Sequence, residues 1–134
     1  MVVAGGAGIA GNITIGGSAR VTGTTGGLGY GTGAGGTVTQ ATSRSTGVTL
    51  NKLTGSITLF TAIGATAWTT FVVTNSTVAA TDTVSLSVRS ATNTYITSVT
   101  NIGAGTFTIA FQTTGGVVSD TPIINFNVFK GVSA

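Results

Sequence analysis

The sequence predicts an all-β fold, in which a β-sandwich or jelly-roll-like domain follows a glycine-rich N-terminal arm or short stalk. Three observations lead to this expectation. Residues that favour half-buried strands (Thr, Val, Ile and Phe) are abundant, whereas Glu is absent and Met occurs once. Apolar and polar residues alternate with a period of two over several short stretches. Glycine, at 22 positions, and asparagine separate these stretches as turn residues.

The N-terminal segment, residues 1–36, differs from the rest of the chain. It is dominated by Gly, Ala and Thr, and its short apolar pieces, such as Gly11–Gly17 and Ser18–Gly23, are closed by glycine. A segment of this kind cannot bury a core of its own. It is either a flexible linker or an intertwined stalk in which copies from several chains supply the missing core. The stretch Gly27–Gly36 then resembles a hinge or a tightly turning loop.

Residues 37–134 are predicted to form one β domain of about eight strands, a number typical of a β-sandwich or jelly roll. Pro122 precedes the last strand, where a missing backbone donor is tolerated. The candidate strands are Val38–Ser43, Gly47–Leu50, Ser56–Phe60, Thr69–Asn75, Val84–Arg89, Thr94–Thr100, Phe107–Gln112 and Ile124–Val128.

Aromatic side chains are divided between a predicted core and two predicted surface positions. Tyr30 and Tyr95 lie near Gly- and Asn-rich turns, and exposed aromatic rings can stack on sugars. They are therefore the candidate glycan contacts. The predicted core anchors are Phe60, Trp68, Phe71, Phe107, Phe111 and Phe126.

Charged residues make up only 5% of the chain, where a globular domain ordinarily has roughly 25%. A β protein with so few charges lacks the usual protection of its sheet edges, so we expect identical neighbours to cover them. The five basic residues are scattered, which argues against nucleic-acid binding. We also expect neither a signal peptide nor a membrane-spanning helix, because the N-terminus lacks a basic region and no long apolar run occurs.

The chain has few residues suited to catalysis, since it contains no His, Glu or Cys. The only carboxylate side chains, Asp82 and Asp120, lie in turn-like contexts where they would bond the backbone. We therefore expect no enzyme and no metal site, unless one Asp from each subunit meets on a trimer axis. The stretch Gly31–Gly36 matches a dinucleotide-binding glycine pattern, but a β-type stretch follows it and no acid lies at the required distance. We expect no cofactor.

Several stretches resemble virion proteins of tailed bacteriophages. Gly11–Gly17 and Arg20–Gly23 are similar to the Gly/Thr/Val repeats of phage fibre shafts. Gly29–Lys52 looks like a terminal domain of phage appendage and decoration proteins, and Phe71–Ser76 and Ile124–Gly131 continue the resemblance. It implies a location on the virion surface and a homotrimeric β assembly, and it carries no catalytic residues.

The first hypothesis is a trimeric decoration or cement protein that binds the major capsid protein or other virion subunits and stabilises the capsid surface. The alternative is a phage fibre or spike tip that binds a host surface glycan through Tyr30, Tyr95 and the loops around Asn51 and Asn93. A third hypothesis is a cellular carbohydrate-binding or adhesin module. No nucleic acid or membrane partner is expected in any of the three.

Overall fold

The structure is a computed structural model that describes residues 7–11, 13–116 and 118–132. These residues form strands and no helix, which confirms the all-β prediction. Accordingly, none of them belongs to a helix long and apolar enough to cross a membrane. Residues 1–6 and Asn12 of the predicted N-terminal segment lie outside the described residues, as do Val117 and residues 133–134. The strands are β1 (Gly35–Thr39), β2 (Val48–Thr49), β3 (Thr54–Thr58), β4 (Ala62–Ile63), β5 (Thr69–Thr74), β6 (Thr83–Ser90), β7 (Tyr95–Gly103), β8 (Thr106–Thr113), β9 (Ser119–Asp120) and β10 (Ile123–Phe129).

The strands form two four-stranded sheets and one two-stranded sheet. Sheet A has the order β1-β3-β10-β6, and sheet B has the order β2-β5-β8-β7. In each sheet the first pair, β1 with β3 and β2 with β5, is parallel, and the other pairs are antiparallel. Sheet C pairs the short strands β4 and β9. Sheets A and B therefore each end in a long strand, β6 and β7 respectively.

One buried cluster takes side chains from both sheet A and sheet B. The rings of Phe107 in sheet B and Phe126 in sheet A lie 5.3 Å apart, and Phe71 meets Phe111 edge-to-face at 6.0 Å. Alternation along each strand delivers these side chains to one side. The cluster consists of Val48, Ile57, Leu59, Phe71, Val73, Val78, Val84, Phe107, Ile109, Phe111, Ile124, Phe126 and Val128.

All eight predicted strands overlap an observed strand, but some bounds differ. β1 begins at Gly35, inside the predicted N-terminal segment, and ends at Thr39, four residues before the predicted end at Ser43. Strands β4 and β9 were not predicted. Each has only two residues, so no period can appear in their sequences.

Two of the six predicted core aromatics are exposed, and their assignment to the core was wrong. Phe60 is 36% exposed and Trp68 is 52% exposed. The reason is strand parity, because successive side chains point to opposite faces. Leu59 takes the inward position beside Phe60, and Trp68 stands an odd number of residues from the buried Phe71.

Residues 7–11 and 13–34 contain no strand, and all of them are exposed except the half-buried Ala34. Near their end, the Tyr30 hydroxyl donates a hydrogen bond to the Val128 carbonyl oxygen, and Lys52 Nζ donates to the Gly33 carbonyl oxygen at 3.4 Å. Leu28 and Tyr30 lie beside Phe129, and together they help line a cavity of about 220 Å³. Among the described residues of this segment, the hydrogen bonds to the β domain are therefore made near its C-terminal end.

A pair of glycine substitutions tests the packing of sheet A. A Cβ at Gly55 would lie 2.6 Å from Leu50 Cδ2 and 2.9 Å from Phe126 Cε1, whereas one at Gly35 would meet nothing closer than 3.5 Å. We expect Gly55→Ala to lower the free energy of unfolding by about 1–3 kcal/mol, because the core there is already full.

The matched control is Gly35→Ala, which should change stability by no more than about 0.5 kcal/mol. Urea unfolding at one fixed protein concentration measures both variants, since association of subunits also affects apparent stability. Equal losses for the two variants would contradict the packing described for Gly55.

Candidate functional site

The most highly organised polar feature of the fold is a buried arginine, Arg44, which is 8% exposed. Its Nη2 lies 2.7 Å from Asp120 Oδ1, 2.8 Å from the Asp120 carbonyl oxygen and 2.7 Å from the Ala62 carbonyl oxygen. Its Nε donates to the Phe60 carbonyl oxygen at 3.0 Å, and its Nη1 donates to the Tyr95 hydroxyl at 2.7 Å. All three guanidinium nitrogens are engaged, as a buried arginine requires.

Asp120 is equally well satisfied on both carboxylate oxygens. Its Oδ1 accepts from Arg44 and from the Tyr95 hydroxyl, each at 2.7 Å. Its Oδ2 accepts the backbone N–H groups of Thr92 and Asn93, each at 3.0 Å. Burial opposes ionisation of the carboxyl, but the hydrogen bonds outweigh it and hold the pKa of Asp120 well below its usual range.

The loop that carries Arg44 is itself held by Gln40, at the end of β1. The Gln40 Nε2 donates to the carbonyl oxygens of Arg44 at 3.0 Å and Thr46 at 2.8 Å. Its Oε1 accepts the Phe60 N–H at 3.1 Å. The cluster therefore joins the loop between β1 and β2, the end of β3, both strands of sheet C and the β6–β7 turn.

The sequence analysis did not recognise this cluster, and it placed Asp120 in a turn. Asp120 lies in β9, and its carboxylate binds the turn between β6 and β7 from outside that turn. Asn93 in that turn donates to the Val118 carbonyl oxygen at 2.8 Å. The sequence signal available was the scarcity of carboxylates, since Asp82 and Asp120 are the only two carboxylate side chains of the chain.

Asp82 performs the turn-capping role that its sequence context predicts. Its Oδ2 accepts the Ala79 N–H at 2.8 Å, and its Oδ1 accepts the Gly131 N–H at 3.0 Å. It also forms an ion pair with Lys130, which the sequence analysis did not foresee. The hydrogen bond from Ala79, together with the Lys130 pair, lowers the pKa of Asp82 to about 2. The cap therefore links the β5–β6 connection to the end of β10.

The carboxylates of Asp82 and Asp120 both stay ionised near neutral pH and are held in place by their partners. Their pKa values lie below the ordinary range, so neither is suited to exchanging protons near neutral pH. Among the described residues, no group of three or more His, Cys, Asp or Glu side chains is placed to hold a metal ion. The arrangement ties chain segments together.

The two predicted glycan contacts occupy different parts of the fold. Tyr30 is 40% exposed and lies beside Thr54 and Asn127 on the outer side of sheet A. Tyr95 is half-buried in β7, with its ring centroid 6.1 Å from that of Phe111. Burial and the hydrogen bond to Asp120 raise the pKa of Tyr95, which keeps its hydroxyl protonated as a donor. Glycan contact by either tyrosine stays a prediction, and a Tyr95→Ala variant would also disturb the Arg44 cluster.

Replacement of Arg44 by methionine tests the buried cluster. Arg44→Met leaves the Asp120 carboxylate buried without its cation, which should cost about 3–5 kcal/mol of unfolding free energy. The exposed Arg89 on the outer side of β6 supplies the matched control, because Arg89→Met should change stability by no more than about 0.5 kcal/mol. A second replacement, Asp120→Leu, should recover part of the loss in the double variant. Additive losses measured by chemical unfolding would show that the pair does not act as a unit.

Acid titration tests the two depressed carboxyl pKa values. A carboxyl group with a lowered folded-state pKa stabilises the fold above its unfolded pKa, and this stabilisation disappears as the pH falls through the folded value. For Asp82 the unfolded value is about 3.8 and the folded value is about 2. We expect unfolding free energy to fall between about pH 4 and pH 2, and to fall less steeply in Asp82→Asn. An unchanged slope in the variant would contradict the assignment.

Comparison with protein-family models, with curated proteins and with solved structures finds no match to this chain.

Proposed function

We propose that this protein is a structural subunit of a tailed-bacteriophage virion, namely a trimeric decoration protein that stabilises the capsid surface. In this proposal sheets A and B are the two layers of a β-sandwich, and residues 1–36 form an arm or short stalk. The sharing of one core by both sheets supports the sandwich.

The observation that carries the proposal is the exposed apolar segment before β1. Its large apolar side chains are between 53% and 92% exposed in the single chain. A short segment with no core of its own can bury these side chains against another chain, such as a neighbouring subunit or the capsid. These side chains are Ile9, Ile13, Ile15, Val21 and Leu28.

Two long edge strands support the expectation of identical neighbours. β6 and β7 end sheets A and B, and Arg89 is the one charged residue in either strand. Natural proteins usually guard such edges with charges, proline or a covering element. Val88, which alternates in phase with the buried Val84, is still 37% exposed. A neighbouring subunit along β6 and β7 would cover both the edges and this gap.

The mechanism is burial of surface. A subunit that bridges two capsid proteins adds contact area, and interfaces of ordinary size bury about 800 Å² on each partner. Each added contact must be broken before the capsid expands or ruptures. The use of both carboxylates to join chain segments favours a rigid structural subunit over a catalytic one.

Light scattering on the purified full chain tests the trimer. We expect a particle three times the 13.0 kDa chain mass at micromolar concentration. Empty capsids of the parent phage that lack this protein should then bind it in a saturable manner. A stable monomer that does not bind those capsids would overturn the proposal.

Substitutions in the N-terminal segment test the observation that carries the proposal. The double variant Ile13→Asn with Ile15→Asn should weaken capsid binding or trimer formation at least tenfold, because two apolar contacts are lost. The control Thr14→Asn alters the exposed residue between them and should leave both properties unchanged. The circular dichroism spectrum should be the same for the unsubstituted protein, the double variant and the control, since neither isoleucine belongs to the buried core.

A further inference from the structure

Strands β6 and β7 form one side of the fold, which we call the β6–β7 seam. β6 ends sheet A and β7 ends sheet B, and the two strands contact each other without pairing as neighbours in one sheet. Shallow grooves of about 490 Å³ and 540 Å³ lie at the two ends of the seam. Residues 82–84 and 99–102 line the first groove, and residues 88–91 and 93–95 line the second. The seam is therefore open at both ends of the two strands.

The seam presents both free backbone groups and incompletely buried apolar side chains. The outer edge of a terminal strand carries N–H and C=O groups that no partner strand satisfies. Val88 of β6 alternates in phase with the buried Val84, yet it is 37% exposed and lies outside the buried cluster. Val99 and Ile102 of β7 are half-buried at the margin of that cluster. The grooves consequently mix polar with apolar surface, and a strand that is apolar on one side matches both.

Residues 7–22, which we call the alternating segment, have the sequence of such a strand. Every large apolar residue of this segment stands at an odd position, and every polar residue stands at an even one. Successive side chains of an extended chain point to opposite sides, so the segment has one apolar side and one polar side when extended. The apolar residues, which are 53% to 63% exposed in the single chain, are Ile9, Ile13, Ile15 and Val21. The polar residues are Asn12, Thr14, Ser18, Arg20 and Thr22.

We propose that the alternating segment of one copy adds a strand to the β6–β7 seam of a neighbouring copy. Its backbone pairs with a free edge, its odd-numbered side chains enter the seam beside Val88 and Val99, and its even-numbered side chains face solvent. The length suffices, because the eight residues of β6 span about 26 Å and the segment is longer than that strand. This inference rests on the assembly proposed above and names the surface through which its copies join.

The alternating segment fits the seam better than a second copy of β6 does. A second β6 would bring another Arg89 to a seam that already holds one, and like charges on paired strands destabilise the pairing. Residues 7–19 contain no ionisable side chain, so they meet Arg89 without repulsion. A segment seated in the next copy is also a head-to-tail contact, which closes into a ring when the rotation between copies permits. A ring of three copies is the proposed trimer.

A pair of valine substitutions tests the seam. Val88→Ser removes apolar surface from the seam, so we expect it to weaken trimer formation at least tenfold, as measured by light scattering over a dilution series. Val72→Ser is the matched control, because Val72 is 45% exposed on the outer face of β5, and it should leave association unchanged. Circular dichroism checks that both variants fold. An effect of Val88→Ser no larger than that of Val72→Ser would overturn the inference.

Cross-linking identifies what occupies the seam. The chain contains no cysteine, so an introduced thiol reports on one position. Full chains with Thr14→Cys are co-expressed with full chains that carry either Ser87→Cys on β6 or Ser98→Cys on β7, all three being exposed positions, and a short bismaleimide joins neighbouring thiols. Trypsin cleaves after Arg20 and Arg89, which releases the three positions in different peptides, and mass spectrometry then measures the linked pairs.

We expect position 14 to be linked to position 87 or 98 at least ten times more often than to position 37. Thr37→Cys supplies that control, because Thr37 is exposed on β1 at the opposite edge of sheet A. The double variant Thr14→Cys with Ser87→Cys tests whether the segment stays within its own chain. Linkage found only in chains of monomer mass would overturn the exchange between copies.

Two other linkage patterns would also overturn the inference. Linkage mainly between two copies of position 14 would indicate an intertwined stalk, and linkage mainly between two copies of position 87 would indicate paired β6 strands. A trimer that binds capsids but shows no linkage of position 14 to the seam would overturn this inference and leave the proposed function standing. A stable monomer that does not bind capsids would overturn both, so the two failures are distinguishable.

Discussion

The buried ion pair between Arg44 and Asp120 is the interaction on which the rest of this structure depends. It is made by residues 76 positions apart, and it holds two loops, sheet C and the end of β3 at one end of the fold. Removal of either charge would leave the other buried without its counter-charge. The Arg44–Asp120 and Lys130–Asp82 ion pairs hold connections that the hydrogen bonds between strands do not reach.

The two outer sheet faces differ in how their polar groups are satisfied. On sheet A, the hydroxyls of Thr54 and Ser56 donate to asparagine side chains of β10, so the donors of these two hydroxyls are already used. On sheet B, the surface that Thr70, Ser98 and Thr100 line beside Trp68 is almost entirely apolar. The same residue types thus produce one surface whose polar side chains bind each other and one surface that exposes Trp68 among apolar atoms. Composition alone does not distinguish them, because the difference lies in which residues face each other across strands.

Much of the strand pattern was predictable from the sequence, and the same alternation rule explains why the assignment of Trp68 to the core was wrong. The alternation over Val84–Arg89, Phe107–Gln112 and Ile124–Val128 identified β6, β8 and β10 because side-chain direction in a strand depends only on local backbone geometry. The same rule places Trp68 opposite to Phe71, since three residues separate them. Trp68 was assigned to the core because it is an aromatic residue beside a predicted strand, but its position along that strand places it on the outer face. β4 and β9 were not predictable, because a strand of two residues shows no alternation in the sequence.

The sequence by itself determined the all-β class, the approximate strands and four of the core phenylalanines, because period-two alternation is a local property of the chain. It also determined the turn-capping role of Asp82, whose partner Ala79 is three residues away. The tertiary structure alone decided that Arg44, Tyr95 and Asp120 meet, and that Trp68 stands beside Thr70 of β5 and Ser98 of β7. Those arrangements join residues far apart in the chain. They arise only when the sheets pack, since packing is what sets which distant side chains share a buried site or an exposed face.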